Sequence, residues 1–207
     1  MRLRTLARPY TAVVALALLS AIPAAAQTSS STLAHARLDL SRIRIDNFGQ
    51  VDATYFRGAQ PKGQDYADLA ALGVKTVIDL TSDDAQRDEK AMVEHAGMKY
   101  VHIPMTTHES PSEAKIAEFL SIVNGAASQP AYVHCVGGRH RTGVMTAIYR
   151  MTKEGWAADK AFAEMKQYKF GSDFLHPEFK RFVYAYRVDA NARNAVIVAT
   201  TATKTGS

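Results

Sequence analysis

Only one of the 207 residues is a cysteine, Cys135. A lone thiol excludes an internal disulfide framework and any metal centre built on clustered cysteines. It also lies far downstream of the N-terminal apolar stretch, which excludes it as a lipoprotein anchor. Charge of one sign is scarce as well, with 25 Lys and Arg set against 20 Asp and Glu. Aromatic residues make up 9% of the chain, with a single Trp, and none is interleaved with a basic run. Those shortages remove the stacking and phosphate-neutralising surface that nucleic-acid binding needs. No apolar run is long enough to span a bilayer, because the longest candidate, residues 13–22, is half of the roughly 20 residues required.

That short run has a context of its own. Arg2, Arg4 and Arg8 precede it and Ala24-Ala25-Ala26-Gln27 follow it, the layout of a cleavable secretory signal over residues 1–26. The expected destination is export, to the periplasm or beyond the cell, with no stable membrane anchor after cleavage. Removing three arginines and no acids takes the formal charge from +5 to +2, so the whole-chain pI near 9.3 overstates basicity. Residues 27–37 are rich in Ser and Thr and read as a flexible lead-in. One domain is expected over residues 38–189, and a disordered tail over residues 190–207.

Within that domain, strand and helix patterns alternate. Residues 55–58 read as a first strand, residues 65–72 as a helix stopped by Gly73, and residues 74–80 as a buried strand. Ser82 and Asp83 are candidate caps for a helix from about residue 84 to 95, ahead of a strand over residues 100–103. Ser112 opens a helix whose apolar face is Ile116, Phe119, Leu120 and Val123, and residues 131–134 form a further strand. Residues 144–151 are apolar nearly all round and predict a buried helix, with two more helices near residues 157–168 and 177–188. The expected fold is α/β, a mainly parallel central sheet flanked by helices, with a helical C-terminal part.

Between the strand at 131–134 and the buried helix lies His134-Cys135-Val136-Gly137-Gly138-Arg139-His140-Arg141-Thr142-Gly143. A loop over a helix N-terminus points backbone N–H groups at one spot, where the helix dipole adds about half a positive charge. The place suits a dianion, and Gly137 and Gly138 let the backbone approach it closely. The same field favours the thiolate form of Cys135, a nucleophile that needs no separate base. Arg141 can curl over the loop and grip two phosphate oxygens, and Thr142 can donate to the sulfur when it leaves. Arg139 and His140 add positive charge suited to a substrate with several phosphates. Arg57 is expected to pair with a carboxylate such as Asp79.

Cys-x5-Arg-Thr, preceded by His and followed by Gly, resembles the signature of the protein tyrosine and dual-specificity phosphatases. Its Gly-Arg-His-Arg-Thr-Gly form is most similar to the atypical dual-specificity phosphatases of plants and fungi, some of which act on inositol pyrophosphates. The resemblance extends over about residues 51–188, including Tyr55-Phe56-Arg57-Gly58-Ala59-Gln60-Pro61 and His102-Ile103-Pro104. It implies a phosphocysteine on Cys135 and phosphate held by Arg141 and the backbone amides of Val136, Gly137, Gly138, Arg139, His140 and Arg141. His134 is implied as a buttress of the loop. No metal and no organic cofactor is implied, and the implied partners are a phosphorylated protein or an inositol phosphate as substrate.

The chain departs from the family pattern at the proton donor. An Asp is expected on a loop upstream of the signature, yet between Pro104 and Lys115 the ionisable side chains are His108, Glu109 and Glu113. Glu109 is the expected general acid. A weak acid narrows the expected substrates to phosphotyrosine and other aryl phosphates, or to phosphoanhydrides, whose leaving groups need little protonation. Two rival readings of the residues stay open: a rhodanese-type sulfurtransferase, which also uses a cysteine in an anion-binding loop, and an inactive relative that only binds phosphate. The loop length and the Arg-Thr-Gly ending favour the phosphatase.

Overall fold

A computed structural model describes residues 40–82 and 84–188. The expected signal (1–26), the lead-in (27–37) and the tail (190–207) lie outside the described residues.

Five strands form one sheet: β1 (Gly49–Asp52), β2 (Tyr55–Gly58), β3 (Thr76–Asp79), β4 (Lys99–His102) and β5 (Ala131–His134). Their order is β1-β2-β5-β3-β4; β1 is antiparallel to β2 and every other pair is parallel. The helices are α1 (Asp65–Ala71), α2 (Glu89–His95), α3 (Glu113–Asn124), α4 (Arg141–Lys153), α5 (Ala158–Gln167) and α6 (Pro177–Ala185). Among the described residues, no helix is long and apolar enough to cross a membrane.

The period-two alternation of the strands sorts side chains into two cores. Ile78 of β3 and Ala131 and Val133 of β5 join Ile116, Phe119 and Val123 of α3 and the apolar residues of α4, α5 and α6. Val77 and Tyr132, one residue out of phase, join Tyr66 and Leu69 of α1 and Val93 of α2 on the other face. The three inner strands, β2, β3 and β5, are thereby buried along their whole length and read as short runs for that reason, while the edge strand β4 has no buried residue. α4 is wrapped most fully, with every residue from Arg141 to Tyr149 buried. Ser112 caps α3 by accepting a hydrogen bond from the Lys115 amide, as its position before an apolar periodic stretch predicts.

The register matters for function. Gly58 and Asp79 both stand level with His134, and His102 stands level with Asp79. The loops leaving the carboxyl ends of β2, β3, β4 and β5 therefore emerge side by side, where open parallel sheets place their ligands.

Two elements differ from the expectation. β1 is a polar edge strand of four residues, Gly-Gln-Val-Asp, in which only Val51 is buried. Its turn into β2 is closed by Asp52, whose Oδ1 accepts from the Thr54 amide at 2.7 Å. The helix expected from residue 84 begins only at Glu89. The reason is tertiary: the Asp84 carboxylate is drawn into a turn by the Ser82 amide and onto Arg141, which leaves no helical path through residues 84–88.

Candidate active site

The segment after β5 is shaped by what holds its carbonyls. The Gln60 amide donates to the Val136 carbonyl at 3.1 Å. Asn47 Nδ2 donates to the carbonyls of Gly137 at 3.3 Å and Gly138 at 2.8 Å. Arg57 Nη2 donates to the Gly138 carbonyl at 2.7 Å. In a planar trans peptide the N–H points opposite to the C=O. Pulling three successive carbonyls outward therefore turns the amides of Gly137, Gly138 and Arg139 the other way, into the bowl of the loop. The loop then runs into α4 at Arg141, so the helix dipole adds to the same spot. Cys135, a free thiol 3% exposed, stands at the start of the loop.

Gly138 is required there on two counts. Its φ is +63°, and a Cβ would come within 2.3 Å of the Gly58 backbone. The loop thus rests directly on the end of β2, which only a residue without a side chain permits.

Arg141 is 3% exposed, and three of its five N–H donors are engaged. Nη1 donates to Asp84 Oδ1 at 2.8 Å and to the Met105 carbonyl at 3.1 Å, and Nη2 donates to Asp84 Oδ2 at 2.6 Å. Nε is buried and has no hydrogen-bond partner among the described residues. The bond from Arg141 holds the Asp84 carboxyl below the ordinary carboxylate value. Burial works against charge on Arg141, but Asp84 and Cys135 outweigh it and raise its pKa. Thr142, expected to serve the sulfur, is fully buried in the first turn of α4, and its hydroxyl has no hydrogen-bond partner among the described residues. No bond from Thr142 to Cys135 is therefore formed.

A buried polar cluster underlies the loop. His134 Nε2 lies 3.0 Å from Glu89 Oε1, both side chains having no exposure. The ring thus stands at ion-pair distance from a carboxylate of α2, and neither of its nitrogens has a hydrogen-bond partner among the described residues. Glu89 accepts from Gln60 Nε2 at 2.7 Å and from the Tyr66 hydroxyl at 3.2 Å. Asp79 accepts from the Thr81 amide and hydroxyl and from the Tyr100 hydroxyl, each at 2.7 Å. Burial alone would raise the Asp79 carboxyl; His134 and these donors outweigh it and hold it below the ordinary value. Asp79 is thus committed to this cluster, and the expected Arg57–Asp79 pair does not form. Arg57 instead lies 3.9 Å from the Tyr168 ring centroid and reaches the loop carbonyl. The three ionisable groups Asp79, Glu89 and His134 face one another closely, but each carboxylate oxygen already accepts from a protein donor.

The rim of the bowl is aromatic and basic. Arg139 is exposed. His140 Nε2 contacts the Phe170 carbonyl at 2.9 Å, and its ring lies 3.8 Å from that of His176. Burial lowers the His140 pKa, and His176, Arg139 and Arg141 lower it further. His176 in turn stacks on His108 at 6.2 Å, and its Nδ1 contacts the Thr107 carbonyl at 3.1 Å. Glu109 is exposed in the same segment; the side chain linked to the signature loop is its neighbour, His108. Val136, Phe174 and Leu175 are exposed apolar side chains.

Asn47, Asp84 and Glu89 are site residues that the sequence pattern did not reveal, and Arg57 has a different partner from the one expected. Each acts across a long stretch of chain, Asp84 from 57 residues away, where no local periodicity can show it. The one legible trace was Arg57 and Gln60 inside the family-like segment 55–61.

Residues 38–181 match the family described as DSP-PTPase phosphatase fused to NAD+ kinase. The dual-specificity protein phosphatase TpbA of Pseudomonas aeruginosa UCBPP-PA14 is 31% identical over 128 residues, 61% of this chain and 56% of that protein. The inositol diphosphatase SIW14 of Saccharomyces cerevisiae is 24% identical over 133 residues, 62% of this chain and 47% of that protein. The chain thus spans about half the length of these curated relatives. Among solved structures, P. aeruginosa TpbA superposes with a TM-score of 0.62 at 28% identity, covering 73% of this chain and 91% of that one. The catalytic core of SIW14 from S. cerevisiae, 22% identical, shares the fold with a TM-score of 0.66, covering 76% and 95%. The matched segment contains the whole bowl, from Asn47 through Asp84 to Arg141, and the chain belongs to the DSP-PTPase phosphatase family.

Proposed function

We propose that the chain is a cysteine-dependent phosphatase for substrates with stable leaving groups, namely aryl phosphates such as phosphotyrosine and phosphoanhydrides such as those of inositol pyrophosphates. The observation that carries this reading is the loop between Cys135 and Arg141, whose carbonyls at Val136, Gly137 and Gly138 are all bonded outward and whose arginine keeps a buried Nε without a partner among the described residues. Such a bowl stabilises the equatorial oxygens of a phosphoryl group in transfer, where fixed donors are worth most.

The reaction divides into two displacements. The Cys135 thiolate attacks phosphorus, an S–P bond forms, the bond to the leaving oxygen breaks, and that oxygen departs with its electron pair. Water then attacks phosphorus, the S–P bond breaks back to the thiolate, and inorganic phosphate leaves with the water's oxygen. The proton for the leaving oxygen comes from the segment before α3, with Glu109 as the donor. Both substrate classes named among the relatives fit a weak donor: one TpbA structure is a complex with pTyr, and SIW14 is named an inositol diphosphatase. A phenolate and a phosphate are each good leaving groups. Arg139 and the apolar side chains of Val136, Phe174 and Leu175 suit an anionic or aromatic substrate body. The segment 1–26 supports export before catalysis.

The test is phosphate release by the full chain from an aryl phosphate, phosphotyrosine and phosphoserine peptides, inositol hexakisphosphate and an inositol pyrophosphate, with Cys135→Ser as control. Turnover of aryl phosphate or pyrophosphate that is lost in Cys135→Ser, with little from phosphoserine, is expected. Equal turnover of phosphoserine and phosphotyrosine would overturn the substrate class. Oxyanion binding without turnover of any substrate would replace the enzyme by a phosphate-binding protein. N-terminal sequencing of exported protein, with Gln27 as the expected first residue, checks the signal.

A further inference from the structure

We infer that Asp84 is the positioning carboxylate of this site, holding the Arg141 guanidinium so that its one free edge faces the phosphoryl group on Cys135. The inference rests on the phosphatase reading of the same bowl and assigns a role to a residue outside the signature.

A guanidinium has two edges that can donate a parallel pair of bonds, the end-on pair Nη1/Nη2 and the side-on pair Nε/Nη2. Asp84 takes the end-on edge at 2.8 and 2.6 Å, and the Met105 carbonyl takes the remaining Nη1 hydrogen at 3.1 Å. What is left is Nε–H and one Nη2–H, which together make the side-on fork. Nε is the buried donor without a partner among the described residues, a costly state for a charged group unless a ligand completes it. The Asp84 and Met105 bonds fix two sides of the guanidinium plane, leaving it one orientation. Cys135 raises the Arg141 pKa, so the sulfur and the guanidinium lie near each other.

Asp84 is itself 38% exposed at the side chain, so its substitution removes the clamp without opening the core. It is also held as a carboxylate by Arg141, the wrong protonation state for a proton donor and the right one for a clamp.

The experiment compares the full-length wild type with Asp84→Asn and Asp84→Ala, each also in an Arg141→Lys background. Orthovanadate binding is measured by calorimetry, and kcat/KM is measured on aryl phosphates of graded leaving-group basicity. Circular dichroism checks that the variants fold. Both substitutions are expected to weaken vanadate binding and to lower kcat/KM by about 10²-fold, the scale of a misplaced reacting group. The loss should be the same for every leaving group and should vanish in the Arg141→Lys background, because lysine has no fork to orient. Tighter vanadate binding would overturn the inference by making Asp84 a competitor for the phosphate site. A loss that grows with leaving-group basicity would overturn it by making Asp84 the acid, and unchanged binding and kinetics would remove any role. Vanadate binding reports on Asp84 even where no turnover is found, so failure of the clamp and failure of the phosphatase reading are separate results.

Discussion

Arg57 Nη2 donates to the carbonyl of Gly138 from a side chain with no solvent exposure. Neither Nε nor Nη1 of this arginine has a hydrogen-bond partner among the described residues, and burial lowers its pKa. A buried cation supported mainly by an aromatic ring and a carbonyl costs stability. Its benefit is to turn the loop and to add positive potential beneath a bound dianion.

Arg57→Met should therefore separate stability from function. Thermal unfolding is expected to change by no more than about 1–2 kcal/mol, since the lost hydrogen bond is offset by relief of a buried charge. Vanadate affinity and kcat/KM are expected to fall by tenfold or more. A large stability loss with unchanged oxyanion affinity would show that Arg57 serves only packing.

The two loop glycines should respond oppositely to an added methyl. Gly138→Ala meets backbone at 2.3 Å and a φ of +63°, so loss of vanadate binding and of activity is expected. For Gly137→Ala the three nearest atoms all belong to the flexible Arg139 side chain, at 3.4 to 3.5 Å, so activity should stay within about tenfold. Steady-state kinetics on the two purified variants decides this.

His140 predicts a pH dependence. Its folded pKa lies below the ordinary 6.5, so the unfolded chain binds the proton more readily. Stability contributed by neutral His140 is present above pH 6.5 and is lost as pH falls from 6.5 through the folded value. Thermal melts of the wild type should drop over that window more than those of His140→Gln. A bound oxyanion should raise the His140 titration point, which NMR of the imidazole signals would read directly.

The segment before α3 can be searched for the proton donor by leaving-group dependence. Glu109→Gln is expected to slow basic leaving groups more than activated ones, with a loss below the 10²-fold to 10⁴-fold of a well-placed acid. His108→Gln should leave that dependence unchanged and weaken binding, through its stacking on His176.

The bowl's centre was legible because its chemistry is written contiguously: Cys135, the glycines and Arg141 fall within one strand-loop-helix passage. Strands β2, β3 and β5 were legible because burial along their whole length leaves short apolar runs, whereas β4, an edge strand with no buried residue, was legible from its place between Gly97 and Pro104. The remainder depends on partners distant in sequence. Asp83 and Asp84 look like helix-starting residues locally, yet the pull of Arg141 on Asp84 outweighs a weak cap. β1 carries too little apolar content to announce itself and exists because the β2 edge offers it hydrogen bonds. Arg57 near Asp79 suggested an ion pair, but the carboxylate is already satisfied by Thr81 and Tyr100.

The solitary cysteine has a consequence for oxidation. Peroxide converts a reactive thiolate to a sulfenic acid, which many enzymes rescue by forming a disulfide with a neighbouring thiol. Cys135 has no second cysteine anywhere in the 207 residues to fill that role. With no resolving thiol among these residues, recovery is left to an incoming thiol able to enter the bowl or to condensation with a backbone nitrogen; otherwise oxidation continues to the irreversible acids. A bound oxyanion, by covering the sulfur, would then act as its shield.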